Sequence, residues 1–297
     1  MKRMTVWFAG LAVVSLLLSS CAKIIDNPQI TETTQTQQST GPSSLSRELP
    51  AVGYGYANID GSKLMVLNDD YDIDTLLTRF AYAVGEDENP LEITYSHYQM
   101  GNEEKDTSRQ TAKNFDNEAG CLYLLGNIKA VPNATYVLLT QAEHDNSEIL
   151  NKPGNVEEVP APGALLAQCA GLAGRNIQEG WRLAEYPNGI RLSTVQFERD
   201  GPALLAWVVL EDGGNIRHFD YPVILDNNGT SGWRAGDGAE FNHQGRAFRV
   251  LAVFRQDTLI KVCYQWFGEL ELINEIDFFY DGTAVERIGA SRYHFNG

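Results

Sequence analysis

From Trp181 to the C-terminus the chain is punctuated by turn signals, and this rhythm constrains the fold more than any other feature. Asn188-Gly189, Asp200-Gly201, Asp212-Gly213-Gly214, Asn227-Asn228-Gly229, Gln256-Asp257, Gly268 and Asp281-Gly282 interrupt apolar runs. They recur roughly every 10 to 14 residues, the spacing of a β-sandwich or barrel. Asn-Gly and Asp-Gly supply the positive φ that tight hairpins need. Between the turns, side chains alternate. Phe219, Tyr221, Val223 and Leu225 share one face, as do Phe248, Val250, Ala252 and Phe254. Ile260, Val262, Tyr264 and Trp266 repeat the pattern, and so do Ile276, Phe278 and Tyr280. Such alternation buries one face of a sheet. The connections are too short for helical crossovers, so the strands must be antiparallel. Leu204–Leu210 is apolar throughout, which predicts a central strand covered on both faces.

Upstream the pattern is less regular but still β. Gly53-Tyr54-Gly55-Tyr56-Ala57 precedes an Asp60-Gly61 turn and the run Lys63–Leu67. Leu76–Val84 fits a helical or a strand face; paired with Leu91–Tyr98 across the turn cluster 85–90, it reads as one arm of a hairpin. Residues 99–118 are charged and polar and read as an exposed loop, before strands at Cys121–Leu125 and Tyr136–Thr140. Pro153, Gly154, Pro160, Pro162 and Gly163 mark 146–163 as an internal linker. A short helix is expected at Ala164–Ala173, opened by Pro162 and closed by Gly174. The expected organisation is a segment 1–20, a tether 21–50, a smaller β-rich part 51–145, the linker 146–163, and an antiparallel β domain 164–297. The fold class is mainly β, with a sandwich or a barrel-like meander in the C-terminal half.

The first residues specify an address. Lys2 and Arg3 precede thirteen residues, Val6–Leu18, interrupted only by Gly10 and Ser15. A bilayer span needs about 20 apolar residues, so the run fits the core of a secretory signal instead. It ends in Leu18-Ser19-Ser20-Cys21. This tetrapeptide resembles the lipobox of bacterial lipoprotein precursors. The resemblance covers under a tenth of the chain. It implies that residues 1–20 are removed and that Cys21 is acylated, palmitate being a usual chain. Ala22 stands where an Asp retains such proteins in the inner membrane of enteric bacteria, so the resemblance favours the outer membrane of a Gram-negative host. Residues 22–50 are polar and of low complexity, as in Thr31–Ser44. As a coil these 29 residues span about 30 Å root-mean-square.

Charge narrows the partners. The net charge is −16, and removing residues 1–20 takes away Lys2 and Arg3 but no acid, leaving −18. So acidic a surface repels phosphate backbones, which excludes nucleic acid, and repels anionic lipid, which leaves attachment to the acyl chains. Cys121, Cys169 and Cys263 remain after Cys21. An export compartment permits one disulfide among them; the alternative is buried thiols.

No catalytic constellation is found. Gly289-Ala290-Ser291 is followed by Arg292, so it is not a nucleophile elbow. The histidines at 97, 144, 218, 243 and 294 lack metal-binding spacing. Asp70, Asp72 and Asp74 have the alternate spacing of a calcium loop. Thr75 and Ala81 stand where such a loop needs Gly and Glu, so the choice is a looser calcium site or a solvated acidic turn. Glu269, Glu271, Glu275 and Asp277 share a strand face, the spacing for paired carboxylates acting on a glycan or for an ordinary wet face. Trp233, beside Arg234 and Asp237 in the glycine-rich stretch 229–238, either stacks on a sugar or peptide or caps the core. The expectation is an envelope-anchored lipoprotein without cofactor, whose β part binds a partner protein or glycan. The alternatives are a surface glycan hydrolase and a purely structural envelope protein.

Overall fold

Alternating side chains and short turns build sixteen strands among the described residues of this computed structural model. The description covers 52–67, 80–85, 89–150, 159–186, 189–225, 233, 241–242, 247–267, 272–280 and 283–292, with only the backbone for 267–291. All belong to one unit, Leu49–Gly297. The export segment, Cys21 and the tether lie outside the described residues.

Strands β1 (Val52–Ala57), β2 (Lys63–Val66), β3 (Phe80–Val84), β4 (Leu91–Gln99), β5 (Gly120–Leu125) and β6 (Thr135–Thr140) close into a barrel in the order β1-β2-β5-β4-β3-β6. Every pairing is antiparallel. Closure removes the free edges of the sheet. A six-stranded barrel is narrow, and β1 accommodates this by turning glycine inward. A Cβ on Gly53 would lie 2.7 Å from the Phe80 ring, and one on Gly55 would lie 2.9 Å from the Met65 carbonyl. The space left is filled by Phe80, Tyr123, Tyr136, Leu138 and their neighbours. Tyr54 and Tyr56, the alternate residues, point out of the barrel. The expected β3–β4 hairpin is present, with Ala83 opposite Leu91. Barrel closure thus occurs in the N-terminal part, and of the two forms expected for the C-terminal half it is the sandwich that forms.

Helix α1 (Gln141–Asn146) follows β6, capped by the Thr140 hydroxyl, which accepts from the Glu143 backbone N–H at 3.1 Å. Strand β7 is Glu148–Leu150 and β8 is Val159–Pro160, so both described pieces of the 146–163 stretch enter sheets; 151–158 lie outside the described residues. Helix α2 (Gly163–Ala173) has Pro162 at its N-cap and ends at Gly174, whose φ of +62° lets its N–H bond back to Ala170.

The rest is a pair of five-stranded antiparallel sheets. Strands β9 (Ile177–Glu185), β10 (Arg191–Phe197), β11 (Ala203–Asp212) and β12 (Asn215–Ile224) form one sheet, ordered β12-β11-β10-β9-β8. Strands β13 (Phe248–Gln256), β14 (Leu259–Phe267), β15 (Leu272–Tyr280) and β16 (Thr283–Arg292) form the other, ordered β16-β15-β14-β13-β7. Their facing sides share one core: Leu204, Ala206, Val208, Leu210 and Tyr221 meet Val250, Val253, Ile260, Val262, Tyr264 and Trp266. The hydroxyls of Tyr221 and Tyr264 hydrogen-bond to each other across it.

The opposite faces are covered too. Val195, Phe197, Trp207 and Val209 pack under Leu165 and Cys169 of α2. Strand β11 is therefore buried on both sides, as its unbroken apolar run predicts. Leu251, Phe254, Leu259 and Cys263 pack against the outside of the barrel, on Tyr54, Tyr56, Val137 and Leu139. The layers run barrel, sheet, sheet, helix. Cys121, Cys169 and Cys263 are buried as thiols in three different clusters.

One expected alternation fails. Leu251 is a bulge residue: Val250 pairs with Tyr264 and Ala252 with Cys263, leaving Leu251 over. The extra residue reverses the facing of everything after it. Phe248, Val250 and Val253 enter the sandwich core, while Ala252 and Phe254 turn to the barrel. A second irregularity, between Tyr95 and His97, ends the expected alternation of β4, and His97 is exposed.

Candidate functional site

The β11–β12 hairpin turns through Gly213 and Gly214, with φ of +58° and +88°, a conformation that suits two glycines. It leaves Asp212 opposite Asn215 and Leu210 opposite Arg217. Leu210 faces the sandwich core, so Asp212 and Arg217 face inward as well. In the facing sheet the Leu251 bulge sets Val253 inward, and Arg255 with it. Three charged side chains thus stand at the end of a sandwich core whose next layer is Leu210, Val253 and Ile260.

Asp212 lies between the two cations. One carboxylate oxygen is 3.7 Å from Nη2 of Arg217 and the other is 3.6 Å from Nη2 of Arg255. The Arg217 side chain is only 9 % exposed, against 29 % for Arg255. Nε and Nη1 of Arg217 are buried without a hydrogen-bond partner. A buried N–H on a charged group left unpaired costs more than a neutral one. Beside these groups opens a cleft of about 320 Å³ lined by Asp212, Arg217, Arg255, Asp257, Thr258 and Ile260. Two arginines share one bridging carboxylate there, with Asp257 and Thr258 on the β13–β14 turn.

Other buried charges join layers. Arg292, at the end of β16, donates to the carbonyls of Gln110 (2.7 Å) and Asn133 (2.9 Å), to Oδ1 of Asn133 (2.6 Å) and to the Thr135 hydroxyl (3.0 Å). It also lies 4.6 Å over the ring of Tyr56. Burial pulls its guanidinium down to about 10. The Tyr56 hydroxyl donates to Glu118; burial raises the pKa of both groups. The loop 99–118, expected to be exposed, is instead anchored at its end: Asn114, Phe115 and Glu118 are buried, held by the Tyr56 and Arg292 contacts. Lys261 of β14 is fully buried and pairs with Glu143 of α1. These groups tie the barrel to the sandwich.

The residues singled out by sequence do not converge. Trp233 is 2 % exposed and packs edge-on to Phe241 at 5.1 Å, so it is a core residue and its ring offers no open face to a sugar. Arg234 and Asp237 lie outside the described residues, as do Asp70, Asp72, Asp74, Glu269 and Glu271. Glu275 and Asp277 are described as backbone of β15 alone. Among the described residues no group of three or more His, Cys, Asp or Glu is placed to hold a metal. No helix there is long and apolar enough to cross a membrane. His218 stacks on Trp207 at 3.7 Å, with Nδ1 2.9 Å from Asp220.

The cleft residues were missed, yet half the signal was present. Arg217 sits in phase with Phe219, Tyr221 and Val223, so alternation alone puts a charge on the buried face. Arg255 gave no such sign, because its facing depends on the bulge. Compared with known protein families, curated proteins and solved structures, the chain matches none.

Proposed function

We propose that this chain is a lipid-anchored protein of the cell envelope whose β part binds a partner protein or glycan and performs no catalysis. The observation that carries the address is the run Lys2–Cys21: basic start, thirteen apolar residues, then Leu18-Ser19-Ser20-Cys21. Acyl chains on Cys21 hold it to lipid, each buried CH₂ contributing about 0.8 kcal/mol. The tether 22–50 gives reach, and Ala22 favours the outer membrane. Binding is supported by the cleft at the end of the sandwich, where inward arginines stand beside solvent-accessible space.

Fractionation of cells tests the reading. The wild-type chain is expected with membranes and the Cys21→Ser chain in the soluble fraction. Immobilised wild-type chain, exposed to detergent-solubilised envelopes, is expected to retain a specific protein or glycan. Membrane association unaffected by Cys21→Ser, or retention no greater than on a blank support, overturns it.

A further inference from the structure

Helix α2, the outermost layer, turns an uncharged face to solvent. A helix lying on a sheet normally shows polar side chains there. Gly163–Ala173 reads Gly-Ala-Leu-Leu-Ala-Gln-Cys-Ala-Gly-Leu-Ala, with Gln168 its one polar side chain and no charge. Leu165 and Cys169 are buried against the sheet, while Gly163, Ala164, Ala167, Gln168, Gly171 and Leu172 are exposed, Leu172 at 60 %. A glycine inside a helix weakens it, yet a Cβ on Gly171 would meet nothing within 4 Å, so no described neighbour requires a glycine there. Charge points to the occupant of this face. The chain carries −16 and repels its own copy over most of its surface, but residues 159–176 contain no acid. Their one cation, Arg175, donates to the carbonyls of Glu198 and Ala203 (2.6 and 3.4 Å). The face is also self-complementary. When two copies of α2 cross antiparallel about a two-fold axis at Gln168, the large Leu172 of each falls against the small Gly163 and Ala164 of the other. The two Gln168 amides then meet, each able to donate and to accept.

We propose that α2 is a self-association surface on which a second copy of this chain docks, helix against helix. Eleven residues make a helix about 16 Å long, and one such crossing buries less than the roughly 1,200 Å² of a stable interface. The contact is therefore weak between free chains and is populated where copies are concentrated. The lipid anchor proposed above supplies that concentration, holding the copies in one layer on tethers of about 30 Å reach. Docking at the membrane rests on that reading; the helix contact itself does not.

The test is disulfide cross-linking. Gln168→Cys places a thiol on the two-fold axis, where a disulfide forms only if the two Cα atoms come within about 7 Å. The full chain in its native membranes is oxidised with copper phenanthroline and run on a non-reducing gel. Gln168→Cys is expected to give at least about tenfold more dimer than Ile224→Cys, whose thiol stands on the end of β12, 71 % exposed and away from α2. Adding Leu172→Glu is expected to remove most of that dimer. Leu172 is exposed, so the change reads docking rather than folding, and Ala167→Glu, at a second exposed position, is expected to act alike. Dimer no more abundant than with Ile224→Cys, or untouched by both glutamates, overturns the proposal. The purified Cys21→Ser chain carrying Gln168→Cys, raised to about 1 mM, the effective concentration of tethered pairs, separates the contact from the anchor. Cross-linking that grows with concentration and is removed by Leu172→Glu upholds the helix contact even if the anchor fails. Its absence at every concentration, from a chain that does sit in membranes, sinks the contact and leaves the anchor standing.

Discussion

Lys261 on the central strand β14 and Glu143 on helix α1 form an ion pair with almost no solvent access, 0 % and 5 % exposed. It lies where the outer face of the sandwich meets the barrel, and Glu143 also accepts from the Ser147 hydroxyl at 2.8 Å. Breaking a buried pair leaves one charge uncompensated, whereas removing both leaves none. Lys261→Met is expected to cost about 3–5 kcal/mol in urea unfolding. The double variant Lys261→Met, Glu143→Leu is expected to recover most of that. A double variant no more stable than the single one would remove the pair from the interface.

Arg292 joins the last strand to the loops at 110 and 133 and to Thr135 of β6 through four hydrogen bonds, with a ring contact to Tyr56. A lysine has one ammonium where the arginine has a planar fork, and cannot reach these acceptors together. Arg292→Lys is therefore expected to destabilise by about 2 kcal/mol or more, close to the effect of Arg292→Ala, since hydrogen bonds to charged groups are worth about 1.5–3 kcal/mol each. Chemical denaturation reads the difference.

Cys169 faces the sandwich from α2, and burial raises its thiol to about 11, with Glu211 adding to the rise. The unfolded thiol ionises near the ordinary value of 9. Between about 9 and about 11 the unfolded state has lost a proton that the folded state keeps, so stability from this group falls as pH rises through that window. At pH 8, iodoacetamide is expected to leave Cys169 unmodified in native protein and to alkylate it in denaturant, as mass spectrometry would show. Rapid native alkylation would contradict its burial.

Trp233 packs on Phe241 in the shared core of the two sheets. Trp233→Ala is expected to lower stability by about 3–5 kcal/mol, as core aromatic truncations do. Unfolding monitored by circular dichroism reads it. A stable variant that has lost only ligand binding would return Trp233 to the surface.

What the sequence revealed follows the range of the interactions. The Asp212-Gly213-Gly214 turn, the helix between Pro162 and Gly174, and the doubly buried Leu204–Leu210 run are local and legible. The barrel is not, because β1 pairs with β6 and β2 with β5 across long separations that no local pattern records. The Leu251 bulge also leaves no mark in the residue pattern. It decides which way Arg255 faces, and so whether the cleft has one inward arginine or two.

The most direct test of the central claim is the mass of the N-terminal peptide of the protein isolated from its native membrane. The prediction is a peptide beginning at Cys21, heavier than its sequence by a diacylglycerol and its acyl chains, with residues 1–20 gone. A peptide that retains residues 1–20, or a Cys21 of unmodified mass, would contradict the lipid anchor and the envelope role built on it.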